Sequence, residues 1–118
     1  DPEEDFHVLA GSANFFYPSL HLGAPGGILS LANLLPGPCC ELYSLFEEGR
    51  YEEALKLHFR LARLNAFVSG PSGVAGVKAA MDITGFKGGE PRSPLTPVSE
   101  ETREKIREQI LTEGFSVE

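Results

Sequence analysis

The sequence predicts an α/β fold in which one βαβ unit is followed by a run of helices. Two short apolar runs, at residues 6–10 and 26–32, flank a segment of helical character, and helical patterns dominate the chain from residue 38 onward. Apolar runs of this length are typical of parallel strands that are covered on both faces. We therefore assign residues 1–36 to the βαβ unit and residues 37–118 to the helical part.

Each element of the βαβ unit has its own signal. Residues 6–10 (FHVLA) predict a strand that ends at the GSAN turn of residues 11–14. Residues 15–22 predict a short helix, and the glycine that follows is a natural helix stop. A second strand is predicted at residues 26–32, and the helical connection makes the two strands parallel.

The glycine-rich stretch GAPGG at residues 23–27 raises the question of nucleotide binding. A phosphate-binding loop follows a strand and opens a helix, whereas this stretch precedes a strand and no Lys-Ser/Thr pair follows it. We interpret it as a turn from helix to strand.

Four helices are predicted after the βαβ unit. They cover residues 38–48, 50–68 and 73–84, and a last helix begins after a Gly/Pro-rich loop, with Ser99 as its N-cap. A sheet of two strands is not stable alone, so the chain is expected to belong to a larger fold.

The helix at residues 50–68 has the clearest amphipathic pattern. One face carries Glu52, Glu53, Lys56, Arg60 and Arg63. The opposite face is expected to be buried and carries Tyr51, Leu55, His58, Leu61 and Ala62.

Composition excludes several classes of function. The chain has 118 residues, a formal net charge of -7 and a pI near 4.9, so an acidic surface argues against binding to nucleic acid. No apolar run approaches the roughly 18 residues of a membrane span, and the opening DPEED does not resemble a signal peptide. Cys39 and Cys40 are adjacent, which suits neither a disulfide framework nor a metal site and favours a reducing compartment. We expect a cytoplasmic protein, with the mitochondrial matrix as the alternative.

Four motifs in order resemble the dihydrodipicolinate synthase / N-acetylneuraminate lyase family. They are FHVLAGSAN, LGAPGGILSLAN, EGRYEEALKL and the long stretch GVAGVKAAMDITGFKGGEPRSPLTP. The details GSA, SLAN and GxxGxKxxMD are most similar to the 4-hydroxy-2-oxoglutarate aldolase branch. The resemblance covers nearly the whole chain and implies the C-terminal portion of a (β/α)8 TIM barrel, namely strands 7 and 8, followed by a helical tail.

The resemblance also implies class I aldolase chemistry. A lysine of the sixth strand forms a Schiff base with pyruvate or a related 2-oxo acid, and the imine accepts electrons while a C–C bond breaks or forms. That lysine, a proton-shuttling tyrosine and a Thr/Ser pair all precede strand 7, so no catalytic residue is expected in this chain. No cofactor or metal is expected. The implied partners are the 2-oxo acid, the N-terminal part of the same enzyme and further copies of it, as a tetramer.

The resemblance assigns pocket residues to two places in the chain. Gly11 and Ile28 match positions whose backbones line the keto-acid pocket, and Ser30 matches a position that lines it in the sialic-acid lyases. Ser12, Ala13 and Asn14 match the loop near the distal part of the substrate. The sialic-acid lyases have two acidic residues where this sequence has Ala13 and Asn14. This difference argues against a long sugar acid as the substrate.

Two alternatives stay open: a non-catalytic interaction module derived from this fold, and an unrelated small helical binding domain. Lys78 is expected to snorkel or to form an ion pair. His7, His21 and His58 show no metal-ligand spacing and are expected to be structural or solvated. A chain with these two strands uncovered is expected to self-associate.

Overall fold

The computed structural model describes residues 5–118, and within them the chain is helical. The helices are α1 (Phe16–His21), α2 (Pro36–Glu47), α3 (Tyr51–Ser69), α4 (Gly73–Ile83) and α5 (Glu100–Thr112), with a 3-10 helix (Ser30–Asn33) between α1 and α2. These bounds agree with the predicted helices to within about two residues. The Oγ of Ser99 accepts a hydrogen bond from the backbone N–H of Thr102, which confirms the predicted cap of α5.

The two predicted strands, at residues 6–10 and 26–32, are not formed, and this part of the prediction is wrong. Between residues 5 and 118 the structure contains a single parallel β-bridge, which joins Ala10 to Gly27, and residues from Ser30 onward turn into the 3-10 helix. A parallel ladder needs neighbouring strands to stabilise it, and among the described residues each of these segments pairs only with the other. The predicted parallel direction survives in that one bridge.

Helix α3 is the centre of the packing. It contacts α1, α2, α4, α5 and the 3-10 helix. The largest fully buried side chains are aliphatic and lie in these elements or next to them: Leu31, Leu34, Leu42, Leu61, Leu64, Val68, Ile106 and Ile110. The core therefore lies mainly among the helices.

The buried face of α3 differs from the predicted one. His58 and Leu61 are buried as expected, whereas Tyr51 and Leu55 are 50% and 43% exposed. The buried face also includes Ala54, Leu57, Leu64, Asn65 and Val68. It is rotated because several helices, among them α2, α4 and α5, pack around α3, so its burial is set by more than one neighbour.

The end of α5 is fastened to α3 by a buried carboxylate. Both oxygens of Glu113 accept hydrogen bonds of 2.8 Å from Arg63, and Oε1 also accepts one of 3.1 Å from Gln109. These hydrogen bonds, led by those from Arg63, hold the pKa of Glu113 below its ordinary value. The backbone oxygen of Glu113 accepts a further bond of 2.7 Å from Arg60, whose guanidinium lies 4.5 Å from the ring centre of Phe115.

Apolar side chains of the N-terminal segment face outward. Phe6, Val8 and Ile28 are 76%, 68% and 75% exposed. This exposure is what the uncovered strands were expected to show, and self-association through it stays a prediction. Within the described part of the chain, no helix is both long and apolar enough to cross a membrane.

Candidate functional site

The β-bridge brings together the two places where pocket residues are predicted. The backbone N–H of Ala10 donates to the oxygen of Gly26 (3.1 Å), and the N–H of Ile28 donates to the oxygen of Ala10 (2.8 Å). A Cβ on Gly27 would lie 2.9 Å from the Ala10 oxygen, so this close approach requires glycine there. Because the bridge is parallel, Gly11 and Ile28 both leave it in the same direction.

The turn after the bridge, residues 11–14, is held by its own polar groups. The backbone N–H of Asn14 donates to the Oγ of Ser12 at 3.2 Å. Ala13 is buried with 2% exposure and anchors the turn in the core, while Gly11 and Asn14 are exposed. The turn therefore presents Ser12 and Asn14 on a fixed backbone.

Asn65 of α3 forms hydrogen bonds to two side chains of this turn. The sequence did not predict it as a site residue. It is only 4% exposed, and its Nδ2 donates to Ser12 Oγ (3.2 Å) and to Asn14 Oδ1 (3.0 Å). A buried polar side chain needs such partners, because burial without them is costly. The available signal was a lone amide among the apolar positions of the helix pattern.

Ser30 lies in a neighbouring cleft of about 450 Å³. The cleft is lined by Ser30, Asn33, Ser69, Gly73, Val74, Val77, Lys78 and Met81. Ser69 also joins the cleft to the turn, because its Oγ lies 2.7 Å from the backbone oxygen of Asn65 and 3.3 Å from its Oδ1. Ser12 and Asn14 are thus joined to Ser69 through Asn65, and Ser30 shares only the cleft with Ser69. The Ile28 side chain points into solvent.

Lys78, which was expected to snorkel or to form an ion pair, is half-buried and forms no ion pair with any residue from 5 to 118. Its Nζ donates a hydrogen bond of 2.9 Å to the backbone oxygen of Gly88. Asp82, one turn later on α4, accepts from the N–H groups of Gly88 (2.8 Å) and Gly89 (3.3 Å). Lys78 and Asp82 therefore hold both polar backbone groups of Gly88.

The histidines and cysteines differ in burial and in surroundings. His58 is buried, its Nδ1 has no hydrogen-bond partner in the part of the chain that the structure describes, and desolvation by burial lowers its pKa. His21 packs against the rings of Tyr17 and Phe46 and His7 is exposed, in keeping with structural or solvated roles. Burial raises the pKa of Cys39 to about 11, so its thiol stays protonated and is a poor nucleophile. Among residues 5–118, no cluster of three or more metal-binding side chains occurs.

Several proteins of known sequence are similar to this chain. The chain is 38% identical to the 4-hydroxy-tetrahydrodipicolinate synthase of Methanospirillum hungatei over 92% of its own length and 37% of that protein. It is 36% identical to the 4-hydroxy-tetrahydrodipicolinate synthase of Archaeoglobus fulgidus, over 91% of its own length and 37% of that protein. The chain therefore spans little more than a third of the length of these enzymes.

Solved structures agree with these matches. The dihydrodipicolinate synthase of Thermotoga maritima superimposes with a TM-score of 0.85 at 30% identity, over 95% of this chain and 38% of that one. The KD(P)GA from T. tenax gives a TM-score of 0.82 at 26% identity, over 91% of this chain and 38% of that one. The helical fold described above is thus part of the TIM-barrel lyase architecture.

The profile of the Dihydrodipicolinate synthetase family matches residues 2–113, which is nearly the whole chain. The alternative of an unrelated small helical domain is excluded, and the expected resemblance is confirmed. The chain belongs to the dihydrodipicolinate synthetase family.

Proposed function

We propose that this chain supplies the C-terminal part of a Schiff-base-forming aldolase or lyase that acts on pyruvate or a related 2-oxo acid. Residues 1–36 then correspond to the last βαβ unit of the barrel, with strands 7 and 8 completed when the rest of the sheet is present. Residues 37–118 correspond to the closing helix and the C-terminal extension. The reaction is that of a 4-hydroxy-2-oxoglutarate aldolase or of a dihydrodipicolinate synthase.

One observation carries the proposal beyond family membership. The parallel bridge between Ala10 and Gly27 aligns the two segments so that Gly11 and Ile28 leave it side by side. In TIM barrels the residues just past the C-terminal ends of the strands build the active site. We propose that Gly11 and Ile28 line the keto-acid pocket through their backbones, and that Ser12, Asn14 and Ser30 line its rim.

The chemistry needs a lysine from outside this set of residues. Its amine attacks the keto carbon, water leaves, and the resulting imine withdraws electrons from the bond that breaks. Lys78 is not a candidate for this role, since it lies on α4 and donates to the Gly88 oxygen. The proposed role of this chain is to bind and orient the substrate and to close one side of the pocket.

The proposed macromolecular partner is the N-terminal part of the same enzyme, which covers Phe6, Val8 and Ile28. A homo-oligomer, as a tetramer, is the second proposed association. Such an association could use an apolar stripe on α3. Tyr51, Leu55 and Phe59 are spaced four residues apart on this helix, and all three are exposed. The proposed location is the cytoplasm, with the mitochondrial matrix as the alternative.

The test is mass spectrometry of the purified, denatured protein after treatment with pyruvate and borohydride, which reduces the imine to a stable secondary amine. We expect a polypeptide co-purifying with this chain, or continuous with it, to gain the mass of one reduced pyruvate adduct at a lysine other than Lys78. Treatment without pyruvate is the control. An unmodified 118-residue chain as the sole species would contradict the proposal and favour the non-catalytic interaction module.

A further inference from the structure

We infer that His58 is a positioning residue that responds to pH: a proton on its buried ring releases α1 and the 11–14 turn from α3. The inference rests on where His58 lies between these segments and on the aromatic surroundings of its ring. It does not depend on the proposed catalysis, because it concerns how the turn is held and not the reaction beside it.

The N-terminal segment is joined to α3 at three successive levels of that helix. The hydroxyl of Tyr17 donates to the backbone oxygen of Tyr51 at 3.2 Å, and the Tyr17 ring centre lies 5.7 Å from that of His58. Asn65 donates to two side chains of the 11–14 turn. Positions 51, 58 and 65 are two helical turns apart and therefore share one face of α3. His58 is the middle of the three contacts.

The turn is continuous with α1 through short backbone hydrogen bonds. The N–H of Phe15, the residue before α1, donates to the oxygen of Ser12 at 3.3 Å. The N–H of Ser19 donates in turn to the oxygen of Phe15 at 3.0 Å. A change in how Tyr17 packs on His58 therefore reaches the turn along a few hydrogen-bonded residues.

The surroundings of the His58 ring favour its neutral form. The residue is 7% exposed, and its Nδ1 is buried without a hydrogen-bond partner among the described residues. The ring centres of Tyr17 and Phe59 lie 5.7 Å and 5.5 Å from that of His58, and only Tyr17 of these two can titrate. His21, the other titratable residue of α1, is exposed and packs on Tyr17. The 11–14 turn carries no ionisable side chain.

A proton on Nδ1 of His58 would place a buried charge without an acceptor from the described chain, which is costly. Burial is the one cause that lowers the pKa of His58, so no charged group of α2, α3, α4 or α5 offsets that cost. The undocked form, with the ring in water, takes the proton more readily. Docking is therefore complete above the ordinary pKa of 6.5 and weakens as the pH falls below it, until the lower pKa of the docked form is reached.

The experiment is a pH titration of the isotope-labelled chain, followed by two-dimensional NMR from pH 7 to pH 5. The imidazole C–H signal of His58 gives its pKa, and the backbone amide signals of residues 12–14 give the docked fraction of the turn. We expect His58 to titrate below its ordinary pKa, and the ratio of docked to undocked turn to fall by up to about tenfold for each pH unit. The amide signal of Ile110, in α5, is expected to stay unchanged.

Two variants make the result specific to His58. His58→Phe keeps an aromatic ring beside Tyr17 but cannot take a proton, so its turn is expected to stay docked from pH 7 to pH 5. His21→Phe is the matched control, because it removes the other histidine that contacts Tyr17, and it is expected to keep the pH dependence. The titration of the unsubstituted chain tests the inference even if His58→Phe does not fold.

Three results would overturn the inference. In the first, His58 gains its proton while the amide signals of residues 12–14 stay unchanged. In the second, His58→Phe loses those signals at low pH as the unsubstituted chain does. In the third, the Ile110 amide signal is lost together with them, which would mean unfolding of the whole chain rather than release of the turn. None of these results bears on the proposed aldolase function, because the titration involves no 2-oxo acid.

Discussion

The segment before α2 and the helices from α2 onward differ in how their backbone hydrogen bonds are formed and in how far their apolar side chains are buried. In residues 36–118 the backbone hydrogen bonds are mostly local, and aliphatic side chains such as Leu64 and Ile110 are fully buried. In residues 5–33, Ala10 and Gly27 form the one β-bridge of the described chain, and Ile28 lies open to solvent. A helix completes its hydrogen bonds within itself, whereas a strand depends on neighbours that another part of the molecule must bring.

The strongest test of this difference in packing is to truncate one aliphatic side chain in each region. Leu64→Ala is expected to lower the free energy of unfolding by about 2–5 kcal/mol, because it leaves a cavity in the helical core. Ile28→Ala removes a side chain that is 75% exposed and is expected to change it by less than about 0.5 kcal/mol. Urea unfolding followed by far-UV circular dichroism measures both. Equal losses would mean that the N-terminal segment is packed as tightly as the helices.

A smaller loss of stability is expected when a closely packed glycine is replaced by alanine. Gly88→Ala is expected to destabilise the chain by about 1–3 kcal/mol, because its Cβ would collide with the backbone oxygen of Lys78. Gly26→Ala meets nothing within 4 Å and serves as the matched control in the N-terminal segment. Thermal unfolding of the two variants decides the matter, and a tolerated Gly88→Ala would show that the loop held by Lys78 and Asp82 can move away.

The smallest expected effect concerns pH and the contact between α5 and α3. Glu113 has a lowered pKa in the fold, so its contribution to stability is complete above its ordinary pKa of about 4.5 and is lost as the pH falls through the lower, folded value. Glu113→Gln is expected to cost about 1 kcal/mol at pH 7, since Arg63 is largely exposed. The variant should also show a shallower loss of stability on acidification.

The pH series needs its own reference. Glu101→Gln removes an exposed partner of Lys105 on the same helix and is expected to leave the neutral-pH stability nearly unchanged. If Glu113→Gln and Glu101→Gln behave alike between pH 6 and pH 3, the buried carboxylate is not what fastens α5.

The helices were predictable from the sequence because their signals are local. Ser99 caps α5, and Gly49 and Gly85 follow α2 and α4 at backbone angles that favour glycine. The strands were not, because a strand forms only with a pairing partner, and in residues 5–118 the two segments share a single bridge. Apolar runs indicate a tendency to form strands, but they carry no information on whether a pairing partner is present.

The candidate site was predictable only in part, for a related reason. The resemblance pointed to Ser12, Asn14 and Ser30, but Asn65 comes from 51 residues beyond Asn14 and acts through tertiary contact. The amphipathic pattern of α3 also placed Tyr51 and Leu55 on the buried face. A periodic pattern predicts one buried stripe and does not show how many helices pack against it. Contacts that depend on three-dimensional packing leave little trace in residue order.

The hydroxyl of Tyr17 donates to the backbone oxygen of Tyr51, which joins α1 to the start of α3 across the boundary between the two regions. The chain has no tryptophan and three tyrosines, so its fluorescence comes from tyrosine when it is excited at wavelengths that phenylalanine does not absorb. One of those three emitters reports directly on whether the N-terminal segment is docked. Tyrosine fluorescence and helical dichroism therefore form a pair of built-in signals, and a melt in which the first changes before the second would resolve undocking from the unfolding of the helices.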